Sequence, residues 1–165
     1  MSIKYQTLYN GFTLLEFVII ILMIGILSAT VSLKLSAPGQ HSVTTQADVF
    51  RRDLSHIQLL AISTDQRLRL SVNTGGYTVA TCTTSACSAT NPLNDPATGQ
   101  NFSVTLTDGV TFSSASTLDF DSLGRPQTGG SLIATNPARS FTLGSSGRSV
   151  TVTVLPITGF AQTSY

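Results

Sequence analysis

Residues 12–33 read FTLLEFVIIILMIGILSATVSL and carry one formal charge, Glu16. As a helix this run of about 22 residues would be roughly 33 Å long, enough to cross a bilayer. A chain that opens this way has to place the run in lipid or among other apolar helices, and only the remainder is left to build a water-facing fold. The carboxylate is the awkward element, because an ionisable group at the centre of a membrane helix costs at least ~2.5 kcal/mol and usually has a partner. Either Glu16 sits near enough to the end of the run to reach the headgroups, or it meets a cation within the membrane.

The context of Glu16 separates these readings. The stretch Gly11-Phe12-Thr13-Leu14-Leu15-Glu16-Phe17, followed by the apolar run, resembles the processing site of type IV pilins and type II secretion pseudopilins. Glycine, phenylalanine, glutamate and the long apolar run all fall at the offsets that family requires. The resemblance implies cleavage by a prepilin peptidase between Gly11 and Phe12, methylation of the new N-terminal phenylalanine, and a role for Glu16 as the fifth mature residue. That carboxylate would pair with the N-terminal amine of a neighbouring subunit. The physical sense is that two groups each costly alone in a low-dielectric setting offset one another when subunits dock in register.

Residues 1–11 then form a leader, with Lys4 as its one charge. A secretory signal would be cut after its apolar segment, whereas here the cut precedes it and the helix is retained as anchor. The resemblance places the leader in the cytoplasm and the protein in the bacterial inner membrane, crossing it once. Its head would be periplasmic until the subunit enters a pilus or pseudopilus. We divide the sequence into a leader (1–11), a transmembrane and polymerisation helix (12–37), an amphipathic helix (38–66) and a β-rich head (67–165).

With 165 residues there is room for one globular domain beside the anchor. Beyond Pro38 there are seven arginines (51, 52, 67, 69, 125, 139, 148) and seven aspartates (48, 53, 65, 95, 108, 119, 121), so the head is neutral. That argues against general nucleic-acid binding. Pro38-Gly39 marks a break, since proline lacks an amide donor and disfavours helix at the residue before it. Val43, Ala47, Phe50, Leu54, Ile57 and Ala61 then recur at spacings of 3 and 4, the pattern of an amphipathic helix with its apolar stripe on a sheet.

After Gln66 the pattern changes to short alternating runs. Residues 67–72 and 77–81, joined by Asn73-Thr74-Gly75-Gly76, predict a hairpin. Further strands are expected at 102–106, 110–113, 117–120, 131–134, 140–143 and 149–155, separated by turn residues. The fold class is therefore α+β and pilin-like: a long N-terminal helix, anchor plus amphipathic half, on an antiparallel sheet that divides into two small sheets. The stretch 82–101, with Asn91-Pro92, Asp95-Pro96 and Thr98-Gly99, is expected to be the longest irregular loop and an exposed contact surface.

The element Phe120-Asp121-Ser122-Leu123-Gly124-Arg125-Pro126, with a closing Thr158-Gly159, resembles the heads of minor pilins of the FimT/GspH type, including the MSHA-type minor pilins. Its simplest role is structural, with Gly124 in a tight turn, Pro126 fixing φ and Asp121 accepting turn amides. The alternative is a contact surface using Arg125, joined by Arg139 and Arg148. Cys82 and Cys87 are the sole cysteines. In an exported head, a disulfide closing their small loop is expected.

No catalytic constellation appears. His41 and His56 belong to the stem side, and Asp119 and Asp121 show no basic partner in the sequence. No cofactor or metal is expected, since a zinc site would want four ligands and no aspartate cluster has calcium spacing. The expected partners are other pilins or pseudopilins, the prepilin peptidase and the inner membrane. A DNA-uptake role is the competing reading, because some FimT-like minor pilins bind DNA through an arginine-bearing segment near the C-terminus. Here Phe160 stands where that arginine would be, so nucleic acid is not an expected partner.

Overall fold

The computed structural model describes residues 13–32 and 38–165, which belong to two compact units, 1–36 and 37–165. The leader, Gly11 and Phe12 lie outside the described residues.

In the first unit, helix α1 (Leu14–Ser32) opens on a cap. The Thr13 hydroxyl oxygen accepts the Glu16 amide at 3.3 Å, and the Thr13 carbonyl accepts the same amide at 3.1 Å. Thr13 and Glu16 therefore stand at the N-cap and third helical positions, the spacing of a capping box, and the carboxylate lies where the positive end of the helix dipole favours it. The helix is apolar on every side, and Leu15, Phe17, Leu22 and Met23 are all at least 60% exposed. A helix of that kind belongs in lipid or among other apolar helices. Among the described residues no helix is long and apolar enough to cross a membrane. The two ends of the expected span, Phe12 and Leu33, fall outside them.

In the second unit, helix α2 spans Pro38–Thr64, and the residues before Pro38, 33–37, lie outside the described residues. The two halves of the expected long helix, anchor and amphipathic, are thus each described by itself. All six residues of the apolar stripe are buried, from Val43 through Ala61.

They pack on antiparallel strands, eleven among the described residues. One sheet is built from β1 (Leu68–Asn73), β2 (Gly76–Cys82), β3 (Thr90–Pro92), β4 (Ser103–Thr105), β6 (Ser116–Phe120), β7 (Pro126–Thr128) and β8 (Ser131–Leu132). It is ordered β3-β2-β1-β6-β7-β8, with β4 also on β2. The other contains β5 (Thr111–Phe112), β9 (Arg139–Ser145), β10 (Arg148–Val154) and β11 (Ala161–Ser164) in the order β11-β10-β9-β5.

Phe50 of α2 is the point where the sheets meet. Its ring stands edge-on to Tyr77 of the first sheet at 4.9 Å and to Phe112 and Phe141 of the second at 5.0 and 5.2 Å. The Tyr77 hydroxyl donates to Asp53, which ties β2 to the helix. The β1–β2 hairpin pairs as expected, with Leu70 opposite Val79 and Asn73 opposite Gly76.

Three strands, β3, β7 and β11, were not expected, and two of them correct the sequence reading directly. The supposedly irregular stretch 82–101 contains β3 and a bridge between Asn94 and Asn101. The closing Thr158-Gly159 turns the backbone into β11, which pairs with β10 through Val154 and Ala161.

Candidate functional site

The Phe-Asp-x-x-Gly-Arg-Pro element follows β6 and turns the backbone into β7. Asp121 organises it. One carboxylate oxygen, Oδ1, accepts the amides of Leu123 and Arg125 at 3.0 and 2.8 Å. The other, Oδ2, accepts Arg125 Nε at 2.8 Å, Arg125 Nη2 at 2.7 Å and Gln127 Nε2 at 3.0 Å. Asp121 is 5% exposed, so these bonds offset the cost of burying a charge. Burial alone pushes its carboxyl pKa up. The side chain of Arg125 and the amides of Arg125 and Leu123 outweigh that, and hold it below the usual carboxylate range.

The sign of the pH dependence follows. The contribution of Asp121 is fully present above the unfolded-state pKa of about 3.9 and is lost as pH falls through the lower folded-state value. Asp121→Asn is expected to cost about 2 kcal/mol at neutral pH and to flatten the loss of stability below about pH 4. Thermal melts of both forms between acid and neutral pH check this; parallel profiles would contradict it.

Gly124 sits at φ +74°, and a Cβ there would come within 2.8 Å of Ile62 and 2.9 Å of Gln58 on α2. Gln58 explains why the turn lies so close to the helix. Its Nε2 donates to the carbonyl oxygen of Gly124 at 2.8 Å and to that of Thr158 at 2.6 Å. One helix amide therefore clamps the turn of the first sheet and the closing turn of the second. Gly159, at φ +68°, completes the contact, with the Gly124 carbonyl oxygen only 2.7 Å from where its Cβ would be. Around the clamp, Leu59, Ile62, Leu123, Ile157 and Phe160 are exposed. Ile157 has φ +63°, a conformation unfavourable for a β-branched residue.

The family model described as Type II transport protein GspH matches residues 46–158, well over half of the sequence, and so includes most of α2, the Asp121 turn and Thr158. The protein belongs to this family. The fold is similar to that of the minor pseudopilin EpsH from the Type 2 Secretion System of Vibrio cholerae. The TM-score is 0.51 at 18% identity, over 74% of this chain and 95% of that one. No curated protein matches the sequence. Membership makes this GspH-family protein a minor pilin or pseudopilin, a structural subunit that assembles with others of its kind in the cell envelope.

The remaining residues singled out from the sequence are placed as follows. Glu16 lies in the first turn of α1 with its side chain exposed. Cys82 and Cys87 are joined as a disulfide at the end of β2, with Cα atoms 4.8 Å apart. Asp119 lies with both sulfurs in a group whose donor atoms are within 4.8 Å of one another, but the sulfurs are bonded to each other. Asp119 is also not without a basic partner: Arg69 Nε and Nη2 donate to its two oxygens at 2.6 and 2.8 Å. That pair forms because β1 and β6 place Arg69 opposite Asp119. Asp121 likewise has Arg125, so the reading of two unpartnered carboxylates is overturned at both positions.

Of the three arginines, Arg148 stands apart from Arg139, which donates to Thr128 of β7 at 3.2 Å. Arg125 is held by Asp121, while Arg139 pairs with Val154 and Arg148 with Ser145 at opposite ends of the β9–β10 hairpin, roughly 20 Å apart. Sequence reasoning missed Gln58, a polar residue between stripe positions that reads as solvent-facing. Its signal was indirect, in that a helix packed on two sheets needs a donor for the turns that cross its end.

Proposed function

We propose that this GspH-family subunit is made as a precursor, cut by prepilin peptidase between Gly11 and Phe12, and held in the inner membrane by residues 12–37. The amphipathic helix (38–66) and the β-rich head (67–165) then stand in the periplasm until the subunit enters a pseudopilus or pilus. The start of α1 supports this reading most: Thr13 caps the helix one residue after Phe12, and Glu16 sits in its first turn ahead of an apolar stretch. In that position the Glu16 carboxylate is available to the N-terminal ammonium of a neighbouring Phe12, and each group offsets the other's desolvation as helices pack. The match to the Type II transport family favours a secretion pseudopilus over a pilus. On the head, the half-exposed Arg125 beside the Gln58 clamp is the arginine we assign to subunit contact.

Gly11→Leu tests the cleavage. Nearly all of the variant should remain as precursor, while the wild-type protein begins at Phe12 on N-terminal sequencing. A variant whose mature form still began at Phe12 would overturn the assignment.

A further inference from the structure

The first sheet has a second buried layer, on the face turned away from α2. Side chains alternate across a strand, so with Leu118 and Phe120 in the core Asp119 lies on the other face. The register of β1, β6 and β7 sets Arg69 and Gln127 beside it. Such an outer face is ordinarily open to water, yet Asp119 is 1% and Gln127 5% exposed. The cover is the connection between β2 and β3. Its Cys87 is fully buried, and both sulfurs lie within 4.8 Å of a carboxylate oxygen of Asp119. A Cβ on Gly130, in the β7–β8 turn, would stand 2.7 Å from the Ser85 carbonyl oxygen, so the connection rests on that turn.

The disulfide fastens this cover. Thr83 donates its amide and hydroxyl to the Ala89 carbonyl, Cys87 donates its amide to the Thr84 carbonyl, and Ser88 donates its amide to Thr84 Oγ1. Among the described residues, the hydrogen bonds of 83–88 all stay within 83–89. What draws the segment onto the sheet is the covalent bond from Cys87 to Cys82, the last residue of β2. Two features oppose closure. Cys87 has φ +54°, a costly conformation for a residue with a Cβ. In the cavity of about 360 Å³ that the segment helps to line, Arg67 Nε and Nη1 and Gln127 Oε1 are buried without a hydrogen-bond partner, a cost that access to water would relieve.

We propose that residues 83–88 are a redox-latched strap over the outer face of the first sheet. Formation of the Cys82–Cys87 bond removes two protons and two electrons from the pair of thiols and passes them to a disulfide oxidant, which leaves as a dithiol. The strap is then shut. A dithiol reductant reverses the exchange through a mixed disulfide and restores both thiols. With the latch broken, Cys87 relaxes, the strap lifts from Gly130, and water reaches Arg67, Gln127 and the Arg69–Asp119 pair, while the core under α2 stays closed. Oxidation state thus decides which surface the first sheet presents, an uncharged strap of Thr, Ser and Ala or a charged face of Arg67, Arg69 and Asp119. The latch depends on the two sulfurs alone and stands whether or not cleavage at Gly11 occurs.

Hydrogen exchange in the full-length protein held in detergent micelles tests the strap. It is read at Arg67 Nε–H and at the amides of Thr83 and Cys87, with Val150 and Val152 of β10 reporting on the second sheet. Dithiothreitol should speed exchange at the first three sites by about tenfold or more and leave the β10 amides within about twofold of their oxidised rates. Oxidised glutathione should restore slow exchange. The double variant Cys82→Ser, Cys87→Ser should match the reduced protein with or without dithiothreitol. Slow exchange at Arg67 Nε–H in the double variant, equal to that of the oxidised protein, would overturn the proposal, since the strap would then stay shut without its latch. Exchange rising equally in β10 would also overturn it, because the disulfide would then hold the whole head rather than one segment.

Discussion

Gly159→Val is expected to lower the melting temperature of the head by roughly 10–15 °C, the consequence of a loss of about 4 kcal/mol in a domain of this size. Three effects combine. A β-branched residue at φ +68° is strained by ~1–2 kcal/mol. Its Cβ would stand 2.7 Å from the backbone oxygen of Gly124 and 3.1 Å from the ring of Phe120, and neither is the far end of a flexible side chain. It would also meet Gln58 Nε2 at 2.7 Å and push it from the carbonyls of Gly124 and Thr158, leaving these groups to find other donors. Against a typical total of about 5–15 kcal/mol, that loss is a large share. Thermal unfolding of the full-length protein in detergent measures it. A melting temperature within a few degrees of wild type would mean that the closing turn is not held against the helix. Gln58→Ala, which adds no bulk, is the milder companion and should give a smaller drop of the same kind.

The clamp also marks the limit of what could be read from the sequence itself. The apolar stripe of α2 and the first hairpin were legible because their signals are local, a spacing of three or four in one case and alternation around a turn in the other. The Gln58–Thr158 bond joins residues 100 positions apart, and the Arg69–Asp119 pair joins residues 50 apart. Nothing local distinguishes such a glutamine from any other polar residue on a helix, or such an aspartate from one facing water. Only strand register makes the pair.

The short strands escaped for a related reason. β7 opens on Pro126 and has three residues, and β11 reads Ala-Gln-Thr-Ser, with no alternation strong enough to separate it from a loop. They are strands because β6 and β10 offer them an edge. Asp121 and Gly124 were legible as a turn, because the bonds that close the turn itself join residues only two to four apart. The unsatisfied Gln127 Oε1 and Arg67 Nε were not, since absence of a partner is a property of the folded surroundings.

The second large effect concerns the N-terminal helix. Glu16→Ala removes the one charge from residues 12–33 and so makes the helix more apolar, which favours retention in a membrane. It also leaves Gly11 and Phe12 untouched, so cleavage should proceed. On the proposed assembly, what the variant lacks is the counter-charge for a neighbouring N-terminal ammonium. An ammonium buried among apolar helices without a partner is strongly unfavourable, a cost of ~3–5 kcal/mol for a broken buried pair. At about 1.4 kcal/mol per tenfold, that corresponds to a reduction in docking of roughly two to three and a half orders of magnitude.

The decisive measurement is therefore the amount of Glu16→Ala subunit in filaments sheared from cells, relative to the amount processed and retained in the inner membrane. Normal processing, normal membrane retention and filament incorporation near the limit of detection are expected. Incorporation equal to wild type, with processing unchanged, would contradict the claim that this subunit joins its filament through the carboxylate of its N-terminal helix.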